Sequence, residues 1–313
     1  MADMVFSGVT FSGGYSISLP PPSYKAIFGY GASSGGLLSI TNLVSNTGVV
    51  AGDTTGVGTA RLGLAAAGYG TDKAIFGYGS DNGLTYYSMT NLVSNTGTVA
   101  ADTTGVGTAR VYLAAASYGT DKAIFGYGFN AGNSSITNKV SNTGVVASDT
   151  TGVGTIRRLL AAAGYGTDKA IFGYGLDDSG VTSITNLVSN TGTVATDTTG
   201  VGTARRNLAA TTYGTDKAIF GYGSDGSSNL SMTNKVSNTG VVATDTTGVG
   251  TVRCNLAAAG YGSTGQAIFG YGGDNGLTYY SMTNLVSNTG TVAADIAGVG
   301  TARQRLAAAS YGS

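Results

Sequence analysis

The sequence predicts an all-β chain built from six copies of one unit. Residue chemistry, a repeat and strand-like stretches between turn signals lead there. Of 313 residues 53 are Gly, Glu is absent and Gln is scarce, while Thr, Ser, Val and Tyr abound. That mixture favours short strands and tight turns over helices. The string Ala-Ile-Phe-Gly-Tyr-Gly begins at Ala26, Ala74, Ala123, Ala170, Ala218 and Ala267, at spacings of 48, 49, 47, 48 and 49. Each copy continues with Thr-Asn-(Leu/Lys)-Val-Ser-Asn-Thr-Gly, then Gly-Val-Gly-Thr, an Arg and a Leu-Ala-Ala run. A fixed period of this size marks a repeat architecture.

About 48 residues divide into four strand-plus-turn segments, the size of one four-stranded antiparallel propeller blade. In the second copy strand A spans residues 64–69, with small side chains suited to a crowded inner position. Strand B spans 73–78, strand C 88–93, and the short strand D 98–100 follows a turn at 95–97 with hairpin chemistry. Six units give a six-bladed β-propeller over residues 24–313. The chain enters at a strand B (25–30) and finishes on a strand A (306–311), so its last stretch can complete the first blade and close the ring.

Composition excludes several functions. Without His or Trp there is no imidazole base, no Ser-His-Asp or Cys-His pair and no His-ligated metal. Cys254 is the only Cys and cannot form an internal disulfide. Sixteen basic residues balance sixteen acidic ones, all Asp, so no basic field exists to gather nucleic acid. No apolar run is long enough for a membrane helix, and Met1-Ala2-Asp3-Met4 lacks the order of a secretory signal. No membrane insertion, no enzyme activity, no cofactor and no metal are expected. The expected location is the surface of a virion or other extracellular particle, reached by lysis instead of secretion.

In an antiparallel blade the A–B and C–D turns share one side, and the B–C and D–A connections share the other. The first side is nearly constant. The A–B turn is Gly-Thr-Asp-Lys in four copies, and the C–D turn is Ser-Asn-Thr-Gly in all six. The B–C loops differ instead, the Thr of strand C lying 10, 11, 9, 10, 10 and 11 positions after the last Gly of strand B. A second variable spot follows the repeated Arg, and it opens onto the same side. Candidate binding-face residues are therefore Asp81, Asn82, Tyr86, Tyr87, Tyr112, Phe129, Asn130, Arg158, Asp177, Asp178, Arg206, Asp225, Asn229, Asp274, Asn275, Tyr279, Tyr280 and Arg305. Tyr, Asn, Asp and Ser on rigid supports have the composition of recognition surfaces. Free drift of surface loops explains the same divergence, and the near-identity of the second and sixth loops fits duplication without selection.

The Tyr86-Tyr87 and Tyr279-Tyr280 pairs are expected as exposed aromatics, and Cys254 as an unpaired thiol on the variable side. Asp177-Asp178 and Asp225 could hold calcium, but Asp beside Gly more often forms a turn. Asp72-Lys73 and Asp53 with Arg61 read as turn and blade-to-blade contacts, and Phe28 and Phe76 as packing between blades. Gly-Val-Gly-Thr lacks the further Gly, Lys and helix of a phosphate loop.

The order Arg, apolar strand, turn, apolar strand ending in Gly77-Tyr78-Gly79, variable loop and Thr-Asn-x-Val-x-Asn-Thr-Gly resembles the kelch-type blade over residues 24–313. That family has Gly-Gly where this chain has Gly-Tyr-Gly, and outer Tyr and Trp residues that are missing here. The Ala-Ile-Phe-Gly-Tyr-Gly unit also resembles repeats of bacteriophage structural proteins. The resemblance implies a propeller serving as a binding scaffold. Residues 81–86 and their twin at Asp274 are similar to the Asp-box turn of sialidase propellers, without its leading Ser and closing Trp, and that box implies a turn, not catalysis.

Residues 1–23 precede the repeats. Phe6, Val9, Phe11, Tyr15, Ile17 and Leu19 give an apolar arm with strand-like alternation, and Pro20-Pro21-Pro22 form a stiff spacer. Such an arm could fold over its own disc or add a strand to another structural protein, and the tether is favoured. The expected function is a structural or binding module that presents its variable face to a cell-surface receptor. A glycan-binding lectin is the alternative, and self-association is compatible with the low charge.

Overall fold

The computed structural model describes residues 24–82, 85–276 and 278–312, and the candidate arm residues lie outside them. Among the described residues all regular structure is β. Six separate three-stranded antiparallel sheets recur along the chain, and none closes into a barrel. The first joins Ala307–Tyr311, Lys25–Gly29 and Thr41–Val44, so the end of the chain pairs with its first strand, from Lys25 opposite Tyr311 to Gly29 opposite Ala307. The second joins Ala65–Tyr69, Lys73–Gly77 and Thr90–Val93. The third to sixth have Ala114–Tyr118, Ala161–Tyr165, Ala209–Tyr213 and Ala257–Tyr261 as their first strands.

The expected fourth strand is reduced to bridges such as Val93 with Val99 and Thr90 with Thr103. A side chain interrupts that ladder. Asn91 Nδ2 donates to the Ala100 carbonyl (3.0 Å) and to Asp102 Oδ1 (2.9 Å), so the segment bulges around a buried amide.

The core lies between sheets. Ala65, Ala67, Tyr69, Ile75 and Tyr78 of the second sheet pack with Leu113, Ala123, Phe125 and Val140 of the third, and five equivalent clusters recur. The sixth sheet meets the first in the same way, with Phe28 against Tyr271 at 5.1 Å between ring centres. A small residue is required where the ring docks. A Cβ on Gly77 would stand 2.8 Å from Phe125 Cζ, and one on Gly270 would stand 2.8 Å from Phe28 Cζ. The expectation that Phe28 and Phe76 pack between units holds.

Candidate functional site

A repeated buried Arg positions the connections on the variable side. Arg61 is fully buried, donating from Nε to the Tyr78 carbonyl (2.7 Å) and from an η-nitrogen to Asn91 Oδ1 (2.7 Å). Its guanidinium also stacks 4.4 Å from the ring centre of Tyr30 in the preceding sheet. Arg110, Arg157, Arg205, Arg253 and Arg303 repeat the stacking. Burial pulls the Arg61 pKa down and pushes the Tyr30 hydroxyl up to about 12, while their mutual attraction opposes both shifts.

Asp102 completes this joint by accepting from the Thr59 amide (2.9 Å) and hydroxyl (2.7 Å). Burial works to raise its pKa, but the Thr59 and Asn91 hydrogen bonds outweigh it and hold the carboxyl below its ordinary value. Asp53 is not the partner of Arg61, as the sequence suggests. It takes Thr301 and lies 3.9 Å from Arg303, while Arg61 faces Asp102 at 3.7 Å. Each Asp serves the connection arriving from the preceding sheet, so an offset of one copy separates sequence neighbours from true partners.

Immediately after each Arg the chain makes two contacts. Leu62, Val111, Arg158, Arg206, Cys254 and Gln304 bridge to the starts of the B–C loops, which brings the two variable spots together as expected. The next residues, Gly63, Tyr112, Leu159, Asn207, Asn255 and Arg305, all occupy the left-handed region at φ between 56° and 63°. Their backbones form a closed hydrogen-bonded circuit. Gly63 N–H donates to the Arg305 carbonyl (2.9 Å), Tyr112 to Gly63 (2.8 Å), Leu159 to Tyr112 (2.9 Å), Asn207 to Leu159 (2.9 Å), Asn255 to Asn207 (2.8 Å) and Arg305 to Asn255 (2.8 Å). Beneath it Leu64, Leu113, Leu160, Leu208, Leu256 and Leu306 line one shared depression. Sequence alone misses this circuit, because five of its six members are not Gly. The signal was only a pair of unlike residues at one position in every copy.

The outer loops touch their neighbours. Tyr86 is half-buried and meets Phe129 edge-on at 6.2 Å, and Tyr87, Tyr279 and Tyr280 are likewise half-buried, not the exposed aromatics expected. Phe129 also carries Arg158 over its ring at 4.5 Å. Asn133 Nδ2 donates to Asp178 Oδ1 (2.8 Å), and Asn275 Nδ2 to Asn229 Oδ1 (3.2 Å). Asn82, Asn130, Asp178, Asp274 and Asn275 are exposed.

Asp177 accepts from the Ser179 and Gly180 amides, Asp225 from Ser227 and Ser228, Asp274 from Gly276 and Thr278, and Asp81 from Thr85. These carboxylates therefore organise their own turns. Cys254 lies on the variable side but is fully buried beneath Asn275, whose Oδ1 stands 3.0 Å from Sγ, and burial pushes the thiol up to about 11.

The opposite side has a matching backbone circuit. Gly312 donates to Asp72, Gly70 to Asp121, Gly119 to Asp168, Gly166 to Asp216, Gly214 to Gly265 and Gly262 to Tyr24, each at 2.7–2.8 Å. Lys73, Lys122, Lys169 and Lys217 pair with their preceding Asp at 2.7 Å. Apart from the longer turn at Ser263-Thr264-Gly265-Gln266, residues that vary here alternate. Ser310, Ser117 and Thr212 of the first, third and fifth sheets donate to the carbonyls of Gly260, Gly68 and Gly164. Val49, Val145 and Val241, 66, 65 and 66% exposed, occupy turns of those same sheets, where the other three have Thr98, Thr193 and Thr291. No protein-family model matches this chain, and no curated protein matches it.

Proposed function

We propose that residues 24–313 are a six-bladed β-propeller acting as a non-enzymatic binding and structural module. Its loop side presents a partner-specific surface, and residues 1–23 anchor it to another structural protein of a virion or appendage. The propeller reading is supported by six inter-sheet joints of one kind, by two backbone circuits that pass through all six sheets, and by pairing of the chain ends. Each blade then has three full strands and a bridged fourth segment.

The binding reading rests mainly on how the two sides differ. Differences on the turn side are few, mostly recurring in every second sheet apart from the longer Ser263-Thr264-Gly265-Gln266 turn, whereas those on the loop side follow no period and place unlike side chains on an unchanged backbone. Loops on a rigid frame are where recognition is ordinarily placed. Tyr24 accepts from Gly262 on the turn side, so the arm joins the body opposite the loops, which suits a tether that leaves them outward. The resemblance to bacteriophage repeats supports a particle component. The functional claim is tested in native particles. Deleting residues 1–23 should abolish incorporation, and changing Asn130, Asp178 and Asn275 to Ala should retain incorporation while losing the partner. Incorporation of the truncated chain, or an unaltered partner in the loop variant, would remove the respective half.

The amide and aromatic side chains around the loop-side circuit favour a second reading, a glycan-binding propeller. Saturable binding on a glycan array that is lost in Tyr112→Ala would support it.

A further inference from the structure

At the centre of the loop side, two guanidinium groups differ from the other seven. Arg61, Arg110, Arg157, Arg205, Arg253 and Arg303 are locked into inter-sheet joints, and Arg158 lies over Phe129 with Asn133 within reach at 3.5 Å. Arg206 and Arg305 have no side-chain hydrogen bond or ion pair among the described residues, and the Nε of each, like that of Arg205 within its joint, is shielded from solvent without a partner. Leaving such a donor unmade costs on the order of 1–3 kcal/mol, and more for a charged group. Arg305 lines the depression itself, and Arg206 precedes its neighbour Asn207 in the lining and bridges to Ser224 at the start of a loop.

Neither makes an ion pair with a nearby acid among the described residues. Asp225 and Asp274 are engaged by amides of their own turns. The guanidinium of Arg305 lies 5.5 Å from the ring centre of Tyr112, with Gly63, the circuit member that has no side chain, between them. The Tyr112 ring packs over that glycine, where an added Cβ would stand 2.9 Å from its Cδ1. On the other side stand Asn207 and Asn255, and Asn255 Nδ2 reaches Gln304 Oε1 at 3.2 Å. The depression therefore combines a cation with no ion pair among the described residues, an aromatic face and carboxamides, with a leucine floor.

We propose that this mouth binds an acidic saccharide. Arg305, assisted by Arg206, takes the sugar carboxylate, Tyr112 packs against the ring, and Asn207 serves the hydroxyls. A planar guanidinium matches a carboxylate in two parallel hydrogen bonds. Carboxamides offer both donors and acceptors, which suits vicinal hydroxyls better than an acidic peptide would need. The inference rests on the loop side being the binding side and adds the chemical class of its ligand.

Calorimetric titration of the purified full chain with tetragalacturonate tests it, alongside the methyl-esterified tetramer, tetra-aspartate and inorganic phosphate. Saturable binding of tetragalacturonate is expected, with little from the other three. Arg305→Gln and Arg206→Gln should each weaken it by about tenfold or more, the loss of a charge-assisted hydrogen bond, while Lys169→Gln on the turn side leaves it unchanged. Thermal melting of each variant checks that folding is retained. No binding of tetragalacturonate by the native chain would overturn the proposal, as would equal binding of the ester. Preference for tetra-aspartate or phosphate would overturn the saccharide assignment. None of these failures touches the loop-side reading, which incorporation in native particles tests separately.

Discussion

The two sides of this molecule use the same backbone device and opposite side-chain policies. On each, six N–H groups donate in a circuit from one sheet to the next. On the turn side the donors are all Gly and the surroundings are Asp–Lys pairs and Ser-Asn-Thr-Gly turns. On the loop side the donors are Gly, Tyr, Leu, Asn, Asn and Arg at nearly one φ. Main-chain bonds thus hold the mouth together whatever side chains project from it. A circuit made of main-chain bonds leaves the side chains at its own positions free to vary, and the variation lies where a partner would meet them.

This contrast can be broken by substitutions matched across the body and the loop side. The largest effect is expected at a joint. Arg157→Met strands acceptors on Tyr174 and Asn186 and should cost roughly 3–5 kcal/mol, as for one partner removed from a buried charged network. Arg206→Gln, with no partner to strand, should stay within about 0.5 kcal/mol. Chemical denaturation of the two variants decides it, and equal losses would erase the distinction.

Gly126→Ala comes next. Its Cβ would stand 2.7 Å from Phe172 Cζ, and such overpacking should cost about 1–3 kcal/mol. Gly132→Ala, at a loop with nothing within 4 Å of the added Cβ, should be close to neutral by the same assay.

Acid should loosen the joints progressively. Burial works to raise Asp53, Asp102, Asp149, Asp197, Asp245 and Asp295, but hydrogen bonds from Thr and Asn leave all six below the ordinary value of 3.8. Their stabilisation is therefore complete above the unfolded-chain value near 4 and is lost as pH falls through the depressed folded values. Melting temperature should fall as the pH is lowered below about 4, and less steeply in Asp149→Asn. A flat profile there would contradict the role given to these carboxylates. The smallest effect belongs to the alternating turn position, where Val145→Thr reproduces Thr98 and Thr193 of neighbouring sheets and should change stability by less than about 0.5 kcal/mol.

Much of the body was legible in the sequence, because six copies report the same strands and turns and the ends of the chain fall within one unit. Partners across copies were not. With six equivalent Asp and six equivalent Arg, periodicity is the same whether Asp53 meets Arg61 or Arg303, and only the spatial order of sheets decides. The fourth strand was overestimated because nothing in its Thr and Val content reveals that Asn91 inserts into its ladder. The burial of Cys254 and Tyr86 depends on neighbouring loops folding over them, which is contact between differing segments and carries no pattern.

Site-specific photocrosslinking in native particles tests the division of labour most directly, with probes at Asn130 and Asn275 on the loop side and at Thr96 and Thr191 on the turn side. The account predicts that the loop-side probes capture a molecule different from the one held beside the arm. Capture of one and the same molecule from both sides, or of nothing from the loops, would contradict it.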